Sequence, residues 1–109
     1  MPTLDDLRND IDRVDEVLVR LLNERARCVC EVGLLKKVQG GEVYQPDREK
    51  QVIEHVRSVA AEGPLGADAI ARLFERIIDE ARSLERRLLN EETHVAGGET
   101  SRDISPADT

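Results

Sequence analysis

A long apolar seam near the N-terminus constrains this chain more than any other feature of its sequence. The seam residues recur at alternating intervals of three and four, the heptad spacing of a helix that packs along another helix; they are Leu4, Leu7, Ile11, Val14, Leu18 and Leu21. Thr3 is the expected N-cap, no proline interrupts residues 3–38, and Gly40-Gly41 ends the pattern. The sequence therefore predicts one helix of about 35 residues, roughly 50 Å long. A chain of 109 residues cannot bury such a helix against itself, so we expect a partner helix from a second copy.

Two further apolar patterns predict two further helices. Pro46 suits the first position of a short helix, with acidic residues in its first turn, and this pattern ends near Gly63. A third helix is expected to begin at residues 66–68 and to end by Asn90. The predicted fold is all-α, with three helices (long, short, long) in one domain over residues 1–90. Residues 91–109 are polar and acidic, with almost no apolar side chains, and we expect them to form a disordered tail.

Charge and composition exclude several classes of function. Lysine and arginine number 16 against 23 aspartates and glutamates, and a net charge of −7 argues against a nucleic-acid-binding protein. No apolar stretch is long enough to span a membrane, and the N-terminus lacks the basic segment of a signal peptide. Cys28 and Cys30 match neither a disulfide framework nor a zinc site. We therefore expect a cytoplasmic protein without a bound metal.

Two cations on the first helix form the first candidate site. Arg25 occupies a seam position, and Lys36, eleven residues later, lies within about 20° of it in azimuth and roughly 16 Å further along the axis. Together they can bracket a small anion. Arg8 points about 100° away and lies some 25 Å from Arg25, so it can act only at the site of a second copy. The alternatives are that Arg25 only sets helix register or extends to solvent, and that Arg8 is a solvated surface residue.

Glu85 is the second anomaly, because it falls on or beside the apolar stripe of the third helix. Loss of hydration there favours the neutral form of a carboxyl group. The alternative is an edge glutamate paired with Arg82 or Arg86. Arg48 and Glu49 are weaker candidates, since charges are ordinary in a first helical turn. A set of cations with one acid suits a reaction that needs charge stabilisation and a held conformation.

Several separated motifs resemble the all-helical chorismate mutases, especially the mutase domain fused to prephenate dehydratase in some bacteria. They are LRNDID at 7–12, LLNERA at 21–26, EVG at 31–33, Lys36, DRE at 47–49 and IIDEARSLE at 77–85. The resemblance covers residues 4–90. It implies an intertwined homodimer that uses no cofactor and no covalent intermediate. The implied reaction is the Claisen rearrangement of chorismate to prephenate, on the way to phenylalanine and tyrosine. No dehydratase segment follows in this sequence, so mutase activity alone is expected.

The resemblance also implies roles for the cations. Arg25 would bind one substrate carboxylate, and Arg8 of the partner subunit would bind the other. Lys36 would donate a hydrogen bond to the ether oxygen, where negative charge grows as the carbon–oxygen bond breaks.

The remaining implied roles concern the second and third helices. Glu49 would hold the ring hydroxyl, with Arg48 near the ring. Glu85 stands where the family has glutamine or glutamate as a second donor to the ether oxygen, and a carboxyl group donates only when protonated. Ala81 stands where some members have a serine that touches the substrate, so that contact is missing here.

Two other functions remain open from the sequence. An isochorismate pyruvate lyase has the same fold and uses similar cations on a related enol-pyruvyl ether. A non-enzymatic helical dimerisation module would use Arg25 only to set its register.

Overall fold

The computed structural model describes residues 1–93, and these form three helices. They are α1 (Leu4–Gln39), α2 (Pro46–Ala60) and α3 (Ala67–Thr93), which confirms the predicted all-α order of long, short and long. The helix α3 includes residues 91–93, the first three residues of the predicted tail. Two of those residues are glutamates, which disfavour a helix only slightly. The rest of the predicted tail, residues 94–109, lies outside the described residues.

Both ends of α1 follow from local chemistry. Thr3 Oγ1 accepts from the Asp6 amide at 3.1 Å, and the Thr3 amide donates to Asp6 Oδ2 at 2.9 Å. This reciprocal capping box satisfies two amides that the first turn leaves without helical partners. Donation from the Thr3 backbone also lowers the pKa of Asp6. At the other end Gly40 leaves the helix at a φ of 83°, which only glycine adopts without steric cost.

The helix α3 holds the fold together, because it packs against both α1 and α2. The described chain measures 60 × 32 × 16 Å, so it is a layer little thicker than one helix. Such a layer has a very small core. Among residues 1–90, Ala71 is the one apolar residue that is buried, with 3% of its surface exposed.

The apolar seam of α1 is uncovered in the single chain. None of the residues of α1, all of which are described, is buried. The six seam residues from Leu4 to Leu21 keep 47% to 63% of their surface exposed. Exposed apolar strips of this length are typical of surfaces at which protein chains associate. Within residues 1–93, no helix combines the length and the hydropathy needed to cross a bilayer.

Candidate active site

The three helices and the segment between α1 and α2 surround a cavity of about 270 Å³. Six of the seven site residues predicted from the sequence line it: Arg25, Lys36, Arg48, Glu49, Ala81 and Glu85. Apolar side chains form the rest of the wall, among them Val29, Val32, Val52 and Ile78. The cavity is therefore small and partly apolar, with its charged groups facing one another across it.

Arg25 is a half-buried cation at the α1 side of this cavity. Its Cζ lies 5.8 Å from the centroid of the Phe74 ring on α3, within range of a cation–π contact. Burial lowers the pKa of Arg25, and the positive charge of Arg48 adds to the effect. An arginine so shifted still carries its charge at neutral pH. Because no carboxylate within residues 1–90 forms an ion pair with Arg25, its guanidinium is available to an anion in the cavity.

Lys36 meets Glu85 inside the cavity. The Lys36 Nζ lies 3.4 Å from Glu85 Oε2 and donates to the Glu42 carbonyl at 3.1 Å. The two side chains are 21% and 11% exposed, so the contact is largely shielded from water. The alternative pairing of Glu85 with Arg82 or Arg86 is wrong, because its partner is Lys36 from another helix. Arg25 and Lys36 line one cavity, as their spacing on α1 predicts.

The position of Glu85 depends on a small residue in α1. A Cβ atom at Gly33 would lie 3.7 Å from both Cγ and Oε2 of Glu85, in ordinary van der Waals contact. The absence of a larger side chain at this point lets the carboxylate lie against α1. The expectation that Glu85 is buried is confirmed, since only 9% of its surface is exposed, and among residues 1–90 it is the one buried polar residue.

Glu49 and Arg82 form a second charged pair, which the sequence argument missed. Arg82 Nη2 lies 2.9 Å from Glu49 Oε1, and Arg82 Nε donates to Glu49 Oε2 at 3.1 Å. The guanidinium also lies 5.3 Å from the centroid of the Tyr44 ring. One signal was present, because Arg82 follows Ile78 by four residues and so shares the cavity side of α3.

The other predicted residues differ in their placement. Ala81 presents a methyl group to the cavity, so it supplies no hydrogen bond there. Arg48 is exposed at the rim, with its Nη1 atom 3.5 Å from Gln51 Oε1. Arg8 is exposed near the start of α1 and is the one predicted site residue that does not line the cavity of its own chain.

The charge balance of the cavity favours a small anion. Four cations line it, Arg25, Lys36, Arg48 and Arg82, against the two carboxylates of Glu49 and Glu85. Each carboxylate is paired with a cation, and the cations of the lining outnumber its carboxylates by two, although the whole chain carries −7. No group of three metal-binding side chains occurs in the described part of the chain. The arrangement can bind a doubly negative molecule and offer hydrogen bonds to an oxygen within it.

Comparisons with known proteins agree on one family. The family model described as chorismate mutase type II matches residues 7–86. The chain is 40% identical over 90 residues to a bifunctional chorismate mutase/prephenate dehydratase of Neisseria gonorrhoeae, covering 79% of this chain and 24% of that protein. The corresponding protein of Pseudomonas aeruginosa is 39% identical over 87 residues, with 75% and 24% covered. The chain thus spans about a quarter of the length of these bifunctional relatives.

A relative of similar size also matches. A chorismate mutase of Methanocaldococcus jannaschii is 25% identical over 88 residues, which is 81% of this chain and 89% of that protein. The matched regions contain every residue that lines the cavity up to Glu85.

Proposed function

This chain belongs to the chorismate mutase type II family, and we propose that its cavity converts chorismate to prephenate, as an isomerase of aromatic amino acid biosynthesis. The observation that carries the proposal is the cavity itself, in which Lys36 and Glu85 lie 3.4 Å apart and Arg25 has no carboxylate partner among residues 1–90. The substrate carries two carboxylates, and the cations of the lining outnumber its acidic residues. The two free thiols, Cys28 and Cys30, suit the reducing cytoplasm.

The proposed reaction is a rearrangement within one molecule, so every atom of the substrate is kept. The ether carbon–oxygen bond breaks as a new carbon–carbon bond forms, and negative charge grows on the ether oxygen. We propose that Arg25 binds one carboxylate and holds the substrate in the compact conformation that reacts. Lys36 donates to the ether oxygen, and the carboxyl group of Glu85 lies beside it, where it acts as a second donor in its protonated form. Donors fixed before the reaction favour the transition state over the ground state.

The contacts on the substrate ring are assigned to α2. Glu49 accepts a hydrogen bond from the ring hydroxyl, and Arg48 lies at the ring edge. Both residues line the same cavity as Arg25 and Lys36. Ala81 adds only apolar contact.

The proposal includes an intertwined homodimer in which Arg8 completes the site of the other chain. Its support is the uncovered seam of α1, which a second copy of the same helix fits. A further support is that Arg8 is exposed and lies outside the cavity of its own chain, although its charge suits the second substrate carboxylate.

A mixed dimer tests this assignment of Arg8. The variants Arg8→Ala and Lys36→Ala are each expected to be nearly inactive. A dimer of one with the other has one site with both residues intact, so the purified mixed dimer should regain about half of the wild-type activity. The two variants are co-expressed with different tags, and the doubly tagged species is assayed with chorismate. Activity no higher than that of the separate variants would contradict a site shared between chains.

Substitution tests the role of Glu85 as a donor. A carboxyl group donates only when it is protonated, whereas an amide always donates. Glu85→Gln should therefore keep or raise kcat/KM for chorismate, and Glu85→Ala should lower it by about 10²–10³. The measurement is kcat/KM of both variants and of the wild type. A Glu85→Gln protein as inactive as Glu85→Ala would show that Glu85 is not the donor.

The direct test of the proposed function uses chorismate. Substoichiometric amounts of the purified protein should consume chorismate, which is followed as the loss of chorismate absorbance. Chorismate should also raise the melting temperature, because a ligand of the folded state stabilises that state. A protein that neither consumes nor binds chorismate would overturn the proposal.

A further inference from the structure

Arg82 connects three parts of the site, and its charge is paired with a carboxylate of the protein. It projects from α3 to Glu49 on α2 and packs against Tyr44 in the segment between α1 and α2. We infer that Arg82 is a positioning residue that fixes Glu49 as the acceptor for the substrate hydroxyl, and so sets the specificity of the site for a hydroxylated ring. The inference rests on the proposed function and adds a residue to it.

The first support is the geometry of the pair. Arg82 uses two nitrogens, Nε and Nη2, on the two oxygens of Glu49, at 3.1 and 2.9 Å. A two-point contact between planar groups fixes the orientation of the carboxylate as well as its position. The side chains are 23% and 25% exposed, so water competes little for the contact. Each carboxylate oxygen keeps a second lone pair, which leaves Glu49 able to accept from a ligand.

The second support is that the guanidinium is itself held in place. The Tyr44 ring centroid lies 5.3 Å from the Arg82 Cζ, and Asp79 Oδ1 lies 3.6 Å from Nη2. A side chain with contacts on several sides loses little further freedom when substrate binds. Glu49 is thus presented in one orientation before the ligand arrives.

The third support separates Arg82 from the cations proposed to bind the substrate carboxylates. Two carboxylates, Glu49 and Asp79, already surround Arg82, whereas Arg25 has none among the described residues. The positive charge of Arg82 is therefore matched within the protein. Its effect on a ligand passes through Glu49.

The consequence is selection for a hydroxyl group. A ligand without the hydroxyl loses a hydrogen bond to a carboxylate that is already held in place, and a hydrogen bond to a charged group contributes more than one between neutral groups. Ala81, the residue before Arg82, has no polar side-chain atom to take over this task.

A double-mutant cycle on kcat/KM for chorismate tests the inference. The proteins are the wild type, Arg82→Gln, Glu49→Gln and the double variant. Arg82→Gln should lower kcat/KM about tenfold through a mispositioned Glu49. If Arg82 acts through Glu49, removing it from the Glu49→Gln protein should cause less than a twofold further loss.

Arg57→Gln is the matched control. Arg57 Nη1 pairs with Asp68 Oδ1 at 2.7 Å, so this change also removes an arginine–carboxylate pair between α2 and α3, but away from the cavity. We expect kcat/KM of this variant to stay within about twofold of the wild type. Arg82→Lys keeps the charge but not the two-point contact, so its kcat/KM should lie between those of the wild type and Arg82→Gln.

Two results of the cycle would contradict the positioning role of Arg82. Equal losses from Arg82→Gln in both backgrounds would show that Arg82 acts on the substrate directly, and a loss no larger than that of Arg57→Gln would show no special role. If Arg82→Gln loses its helical signal, the cycle is repeated with Arg82→Lys. Its losses of kcat/KM in the wild-type and Glu49→Gln backgrounds are then compared in the same way. A wild type that does not turn over chorismate would instead overturn the proposed function and the inference with it.

Discussion

Replacing Lys36 with alanine is expected to lower kcat by about 10²–10³, the usual effect of losing one donor to a developing oxyanion. The ammonium lies 3.4 Å from Glu85 at the point where we place the ether oxygen. Charge on that oxygen grows as its bond breaks, so the hydrogen bond strengthens in the transition state and the loss falls on kcat more than on KM. The Lys36 side chain has 21% of its surface exposed and lies near the end of α1, so the helices should remain folded in the variant.

The matched control is Lys50→Ala, which removes an ammonium from the exposed face of α2 outside the cavity. Its kcat should equal that of the wild type. Circular dichroism of both variants reports on the helices. A Lys36→Ala protein with kcat within about tenfold of the wild type, or one that loses its helical signal, would show that Lys36 is not the donor.

Arg25→Ala should lower kcat/KM by about two orders of magnitude, because a bidentate charged contact with a carboxylate contributes roughly 3 kcal/mol. Phe74 packs against the Arg25 guanidinium from α3, and Arg25 is half-buried, so part of its hydration is already lost in the free protein. A cation in that state gains more from a ligand carboxylate than one in open water does. The melting-temperature rise on addition of chorismate should disappear in the variant.

Two comparisons make this prediction specific. Arg27→Ala removes an exposed arginine two positions along α1, outside the cavity, and should leave kcat/KM unchanged. Arg25→Lys keeps the charge without the planar fork and should fall between the wild type and Arg25→Ala. In a dimerisation module Arg25 would only set register, and Arg25→Ala would then change the association constant and leave chorismate binding as it was.

Much of the fold could be predicted because it depends on local periodicity. Three local features fix the length and both ends of α1, and each was visible in the sequence. They are the seam from Leu4 to Leu21, the N-cap Thr3 and the terminating Gly40. The shared face of Arg25 and Lys36 follows from the turn angle of a helix, and both line the same cavity. The exclusion of Arg8 from the site of its own chain came from the same arithmetic.

The contacts between helices could not be predicted in this way. That Glu85 meets Lys36, and Arg82 meets Glu49, depends on how α3 docks against α1 and α2. Docking angle and register depend on side-chain packing over the whole interface, which helical periodicity does not determine. Glu49 ranked low as a first-turn charge because its partner lies 33 positions away in the sequence.

The most direct test of the account identifies the product when the purified protein is incubated with chorismate and, in parallel, with isochorismate. Prephenate from chorismate, detected as phenylpyruvate after acid treatment, is the predicted result. Consumption of isochorismate alone, with release of pyruvate, would contradict it and indicate the lyase instead. No turnover of either compound would leave a helical module whose charges serve only its own assembly.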